Sequence, residues 1–298
     1  MLRQINPAIW VVMFCAAMWG FWWYPVALFE SAGLEGPWIG FAMNVAAMPV
    51  ALIWCLVRPG AVSSRAVLGC LFVGLAVTLY AVAASYTDFI RAVLLFYLAP
   101  AWSTLIEIFF FGRRWSLQSI FAIAFSLGGV LLISRGEISF DGLGALGDWM
   151  ALGSGLAWSI GIALAFSSRQ ATANRVMLIT VLGGALSAFL IALADGTFAS
   201  TGWPDWPGIA TTTPWAFVFS AIYVGIILAG TMWGAFQLPP AVMSYLLSIE
   251  ILGGVLSSAL ILGEVVGLYE TSGAILIISA VLIEVMWTPR IAKTGSSA

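Results

Sequence analysis

Ten uninterrupted apolar runs dominate this 298-residue chain, at 7–29, 37–57, 66–85, 89–110, 117–134, 147–167, 175–194, 214–235, 239–262 and 267–288. A helix of roughly 20 apolar residues is what a hydrocarbon core of about 30 Å demands. A water-soluble fold could not hide so many. Only 8% of the residues are charged, against roughly 25% in soluble domains, so the chain cannot cover its own surface in water. The runs are continuous and do not alternate, which excludes a transmembrane β-barrel. The sequence therefore predicts an all-α polytopic membrane protein with ten transmembrane helices.

Turn chemistry and charge separate the runs: Glu35-Gly36-Pro37, Arg58-Pro59-Gly60, Gly112-Arg113-Arg114, and the stretch from Arg135 to Asp148. The longest connection, Asp195 to Pro214, holds Trp203, Pro204, Trp206 and Pro207, a composition suited to the headgroup layer. The first run is too long for a cleavable signal and reads as a retained helix. The Gly-Ser-Ser end reads as a tail.

Several function classes drop out. A net charge of −2 without a basic patch leaves no site for nucleic acid. With no histidine and no paired mid-span aspartates, no catalytic constellation forms, so an intramembrane enzyme is not expected. No metal site and no cofactor site is expected either. Cys15, Cys55 and Cys70 each lie inside an apolar run and read as small buried hydrophobes. No phosphate-cradling loop exists for ATP hydrolysis. A passive channel would need rings of like charge or a filter loop.

Charge gives the spans a direction. Ten crossings put both termini on one side, which collects Arg3, Arg58, Arg65, Arg113, Arg114, Arg169, Arg175, Arg290 and Lys293. The other side carries Arg135 and most of the acids: Glu30, Glu35, Glu137, Asp141, Asp148, Asp195, Asp205, Glu264 and Glu270. Arg91 sits at the start of span four. Positive charge marks the cytoplasmic face, so both termini are expected there.

The two halves, 1–135 and 136–298, resemble each other. A shift of 151 residues sets Phe111-Gly112-Arg113 on Leu262-Gly263-Glu264 and Leu117 on Leu268, aligning spans four and five with nine and ten. A shift of 139 sets Met18-Trp19-Gly20 on Ala157-Trp158-Ser159. Five spans per repeat is odd, so the second repeat must insert upside down, as the change from Arg113 to Glu264 requires. Inverted repeats of this kind mark secondary transporters, with substrate bound near mid-membrane between the halves.

Along nearly its whole length the chain resembles the ten-helix EamA branch of the drug/metabolite transporter superfamily. The resemblance rests on Trp19-Gly20, Leu98-Ala99-Pro100, Leu262-Gly263-Glu264 and the run Leu127-Gly128-Gly129-Val130-Leu131-Leu132. Two departures stand out. Arg113 occupies the position of the usual Gly-Glu acid, and Ile249-Glu250-Ile251 replaces a second Leu-x-Pro. More narrowly, the chain is similar to the bacterial aromatic amino-acid exporters of that branch. This resemblance implies export of aromatic and other apolar amino acids across the inner membrane, by a monomer surrounded by lipid. The alternative is a multidrug or other small-metabolite efflux carrier of the same superfamily.

Within the spans, Glu250 is the most deeply placed ionisable residue, and a carboxylate at that depth marks a functional site. It can pair with a substrate ammonium, carry a proton, or remain a neutral acid bonded to a backbone carbonyl. Asp88 and Arg91, three apart on one helical face, are expected to pair. Glu107 reads as a counter-ion to Arg113-Arg114. Pro25 lies near the outer end of span one. Pro100, Pro239 and Pro240 are candidate hinges, since proline frees a carbonyl or opens a helix. Trp203, Trp206, Trp10 and Trp287 suit interfacial belts. The mid-span aromatics Trp19, Tyr80, Tyr97, Trp102, Trp158, Trp233 and Tyr245 are candidates for the lining of a central cavity. Such a lining stacks planar rings and attracts cations through the ring faces. Spans one, three, four, six, eight and nine are expected to bound it. Ser244, Ser248, Ser257 and Gln237 offer a polar strip near Glu250, either for a zwitterion or for helix-to-helix bonds. Gly225, Gly230, Gly253 and Gly254 allow close helix contact.

Overall fold

Proline and glycine punctuate the helices where backbone chemistry allows. Proline opens Pro7–Trp19 (α1), Pro37–Val57 (α3), Pro214–Ala235 (α12) and Pro240–Leu247 (α13), at the turn where its missing N–H costs nothing. The computed structural model describes residues 6–57, 60–83, 86–87, 89–133, 144–168, 172–261, 263 and 266–287, and every helix or strand among them is an α-helix. The remaining helices are Trp23–Ser31 (α2), Ser64–Ala83 (α4), Phe89–Phe96 (α5), Ala99–Phe111 (α6), Leu117–Ile133 (α7) and Leu146–Ser167 (α8). They continue with Ala173–Ala194 (α9), Thr197–Thr201 (α10), Trp206–Thr212 (α11), Ile249–Ile261 (α14) and Leu268–Trp287 (α15).

Nine segments among the described residues are long and apolar enough to cross a membrane, and the shorter apolar α7 joins them. They fall where the apolar runs predict, within a few residues at each end. The predicted spans one, four and nine each consist of two helices: α1 with α2, α5 with α6, and α13 with α14. The headgroup-type connection folds as α10 and α11; Trp203 between them and Trp206 of α11 gather with Phe41 around Trp38 at ring-centroid distances of 5.4 to 6.2 Å. Side chains such as Phe109, Phe110, Trp215 and Leu268 stand out from the bundle at 75% exposure or more, which only lipid would tolerate.

Each break has a local cause. Pro25 cannot donate to the Phe21 carbonyl, and residues 20–22 tighten into three-residue turns, Gly20 bonding to Ala17, Phe21 to Met18 and Trp22 to Trp19. Pro100 sits at the second position of α6, and Leu98 closes the preceding turn on Leu95 at 3.3 Å. The break at Ser248 has no proline. Ser248 bonds back to Tyr245 at 3.1 Å and Ile251 to Ser248 at 3.3 Å.

The two halves interleave through a regular exchange of contacts. α3 packs on α9 and α7 on α15; α4 packs on α8 as α12 packs on α1. The contact of α4 with α9 has its counterpart in α12 with α3, and that of α5–α6 with α8 in α13–α14 with α1. Glycine sets the closest of these distances. A Cβ on Gly129 would stand 2.7 Å from the Gly273 carbonyl, and one on Gly74 would stand 2.6 Å from the Gly184 amide. Arg3, Arg58, Asp88, Arg135, Glu137, Asp141, Arg169, Glu264, Arg290 and Lys293 lie outside the described residues. So does the side chain of Trp287. The expected Asp88–Arg91 pair is therefore outside them too; Arg91 forms an ion pair with Asp148 at 3.4 Å.

Candidate substrate cavity

The three helix breaks converge on one cavity. Its narrow inner part, about 30 Å³, is lined by Trp19 and Trp22 from the first break, Phe96 from the second, and Leu247 and Glu250 from the third. Tyr80 and Val77 of α4 and Trp158 of α8 complete it. A larger volume of about 760 Å³ shares Trp19, Trp22, Tyr80 and Glu250, then widens past Val130, Gly254 and Val255 to Glu30, Ile133 and Ser258. That size suits a small-molecule ligand. The cavity therefore opens toward the end of the bundle opposite to Pro7, here the distal end. The end carrying Pro7 and Trp287 is the terminal end.

The lining offers ring faces and keeps the N–H groups of Trp19, Trp158 and Trp23 occupied. Trp19 donates to Thr231 at 3.4 Å, Trp158 to Ser244 at 3.2 Å, and Trp23 to Ser257 at 3.0 Å. Trp19 lies 4.9 Å from Trp22, and Tyr80 4.5 Å from Phe96, between ring centroids. Glu250, in the first turn of α14, is half-buried against this surface. None of the ion pairs among the described residues involves it. Its electrostatic neighbours are the hydroxyls of Tyr80, Tyr97 and Tyr223. Tyr97 lies against it from the second break, without closing a hydrogen bond of standard geometry. Tyr223 donates instead to the Met18 carbonyl at 2.5 Å.

Below the cavity the terminal end is sealed. Every residue of α13 is buried, and Ser244 on it bonds to Ser103 at 2.7 Å. Farther down, Gly112 takes a left-handed φ of 69° to end α6, which turns Arg113 back under the helix. Arg113 reaches Glu107 at 2.7 Å, Glu284 at 2.6 and 3.0 Å, and Ser119 at 2.8 Å. Glu107, fully buried, also accepts the Ala241 N–H at 2.7 Å, in the first turn of α13. This cluster joins α6, α7, α13 and α15.

The sequence-derived candidates divide accordingly. Trp19, Tyr80, Trp158 and Glu250 line the cavity. Tyr97 is buried behind its wall, with ring contact to Phe96 at 5.2 Å. Ser244 and Tyr245 lie in the sealed packing beneath it, and Trp102 is half-buried outside the lining. Trp233 faces outward, 38% exposed. Pro100 starts α6 beside the second break, Pro239 precedes α13, and Pro240 opens it. Ser257 bonds to the Gly20 carbonyl at 3.3 Å, and Gln237 to the Trp233 carbonyl at 3.3 Å, so both serve helix packing. Glu107 does pair with Arg113, as its position predicts. Trp22, Phe96 and Glu284 were not among the candidates. Trp22 stands one helical turn from Trp19, and Glu284 is an acid inside the last apolar run, which are the signals that mark them. No cluster of metal-ligating side chains exists among the described residues.

A bundle of this kind, with its apolar helices and exposed apolar surface, defines a multi-pass membrane protein. Residues 6–135 match the model of the EamA-like transporter family. A solved structure described only as "Crystal structure of protein" superposes with a TM-score of 0.72 at 17% identity, covering 96% of this chain and 100% of that one. That likeness concerns the fold alone, and it extends the fold over the second half. No curated protein matches the chain.

Proposed function

We propose that this protein is a secondary transporter that exports aromatic, amine-bearing metabolites, aromatic amino acids among them, by alternating access. The observation that carries this reading is the mid-bundle cavity with Trp19, Trp22, Tyr80, Phe96 and Trp158 around it, open at one end only. Apolar planar rings fit such a lining, and a site reachable from one side at a time is what coupled transport needs. The halves 1–135 and 136–298 are read as inverted repeats. The exchange of helix contacts between halves supports this, as does the position of the breaks at Tyr97 and Ser248, one shift of 151 apart. Rocking one half against the other would close the distal end and open the terminal end. The arginine-rich terminal end is assigned to the cytoplasm of a bacterial inner membrane, and the unit to a monomer.

The test is counterflow of radiolabelled tryptophan in proteoliposomes, with and without a pH gradient. Preloaded tryptophan is expected to accelerate uptake, which a channel would not show. No stimulated uptake of any amino acid would sink the substrate assignment. A planar-cation carrier is the second reading, favoured because the described lining holds carboxylates and no lysine or arginine. Inhibition of that uptake by planar dye cations but not by phenylalanine would select it.

A further inference from the structure

We propose that Glu250 is the recognition group for a substrate ammonium, and that the cavity prefers aromatic amines without a carboxylate to the corresponding zwitterionic amino acids. This rests on the transport reading above and specifies its substrate class.

A carboxylate inside a membrane bundle needs a partner, and Glu250 has no cationic one among the described residues. The groups facing it are neutral: Tyr80 from α4, Tyr97 from the α5–α6 break, Tyr223 from α12, and indole rings from α1 and α8. No lysine or arginine stands among the described lining, and the chain contains no histidine. The hydroxyl of Tyr97 lies against Glu250 without closing a hydrogen bond of standard geometry. A small cation entering from the distal end would meet this carboxylate with the faces of Trp19, Trp22 and Trp158 around it. Ring faces attract ammonium groups, more so where water is excluded.

The carboxylate of an amino acid has no equivalent place. It is carried on the same carbon as the ammonium, so it would enter the same acidic cavity. Three of the four indole N–H groups of the lining are occupied, Trp19 on Thr231, Trp158 on Ser244 and Trp23 on Ser257, and the fourth, on Trp22, is a neutral donor that cannot neutralise a carboxylate. Burying it unpaired beside Glu250 is unfavourable. Removing the carboxylate from the ligand removes that cost and keeps both the ring and the ammonium.

Three indole ligands separate these contributions: tryptamine (ring and cation), tryptophol (ring alone) and tryptophan (ring and zwitterion). Each is competed against radiolabelled tryptamine on the full-length protein in nanodiscs. A hydrogen-bonded charge is worth about tenfold or more in affinity. Tryptamine is expected to bind at least that much tighter than either of the other two. E250Q should bring tryptamine and tryptophol to the same affinity while leaving tryptophol unchanged, and E250D should keep tryptamine ahead. Equal binding of the three ligands by the wild type, or an undiminished tryptamine preference in E250Q, would overturn the proposal. Should E250Q not fold, the wild-type ligand order and E250D decide. Tryptamine preference without counterflow of either tryptamine or tryptophan would sink the transport reading and leave this one standing. Counterflow without the preference would do the reverse.

Discussion

The two ends of the bundle are built from corresponding helices but held in different ways. At the terminal end, Glu107, Arg113 and Glu284 form a buried ionic cluster under α13. Under the proposed repeat, a shift of 151 carries Glu107 to Ser258 and Glu284 back to Ile133. Both of those line the open distal mouth. Arg113 maps onto Glu264, an acid. The described distal mouth thus lacks the repeat-related counterpart of this cluster, and the ion pair at that end, Arg91 with Asp148, joins α5 to α8 instead. Under the proposed transport cycle, a buried ionic cluster beneath the closed end, without its repeat-related counterpart at the open mouth, favours the distally open state. Substrate binding must then supply the differential energy that breaks the seal.

The largest effect is expected from removing the cation. Arg113→Met leaves two buried carboxylates uncompensated, which costs about 3–5 kcal/mol. The terminal seal should open. With Cys15, Cys55 and Cys70 replaced, a cysteine at Ser244 should react with maleimide in this variant and stay protected in its absence. Continued protection would break the comparison. Replacing all three partners together, Glu107→Leu, Arg113→Met and Glu284→Leu, should restore most of the thermal stability, because no charge is then left unpaired. A triple variant as unstable as the single one would mean that the cluster acts through its shape.

A smaller effect isolates the hydroxyl layer above the cluster. Ser244→Ala deprives both Ser103 and the Trp158 indole of a partner. One buried donor left unsatisfied costs about 1–3 kcal/mol. Thermal melting of the detergent-solubilised protein should fall accordingly. Substrate affinity should fall with it, because the Trp158 ring would no longer be fixed. Unchanged affinity with reduced stability would assign Ser244 to the seal alone.

Which parts of this arrangement could be read beforehand follows from the chemistry of each signal. The spans were legible because run length responds directly to bilayer thickness. The break in span four was legible through Pro100. The break at Ser248 leaves no proline, and only its spacing of 151 from Tyr97 betrays it. Helix facing was the least legible feature. In helices apolar all round, lipid and cavity select the same residue types, so Trp233 and Trp158 look alike in sequence although one faces outward and the other is buried. Glu250 and Glu107 were legible for the opposite reason, as charges inside apolar runs. Sequence alone makes Arg113 a loop base, and its burial at 8% exposure depends on the turn at Gly112.

The smallest effect lies at the distal end, where Tyr86 donates to Asp195 at 2.7 Å and so ties the loop before α5 to the end of α9. Burial, and then the bond to Asp195, hold the Tyr86 hydroxyl above its ordinary value near 10. The folded protein therefore keeps this proton more tightly than the unfolded chain does. The contribution is fully present below about pH 10 and lost as the pH rises above it. Tyr86→Phe should cost about 0.5–1 kcal/mol at neutral pH, the value of one partly exposed hydrogen bond. It should also flatten the alkaline decline in melting temperature. Because the terminal seal contains no tyrosine hydroxyl bond of this kind, Ser244→Ala should leave that alkaline slope as it is. An equal change of slope in both variants would show that the two ends do not respond independently, and would remove the distinction between an ionic terminal seal and a distal rim tied by the Tyr86–Asp195 hydrogen bond.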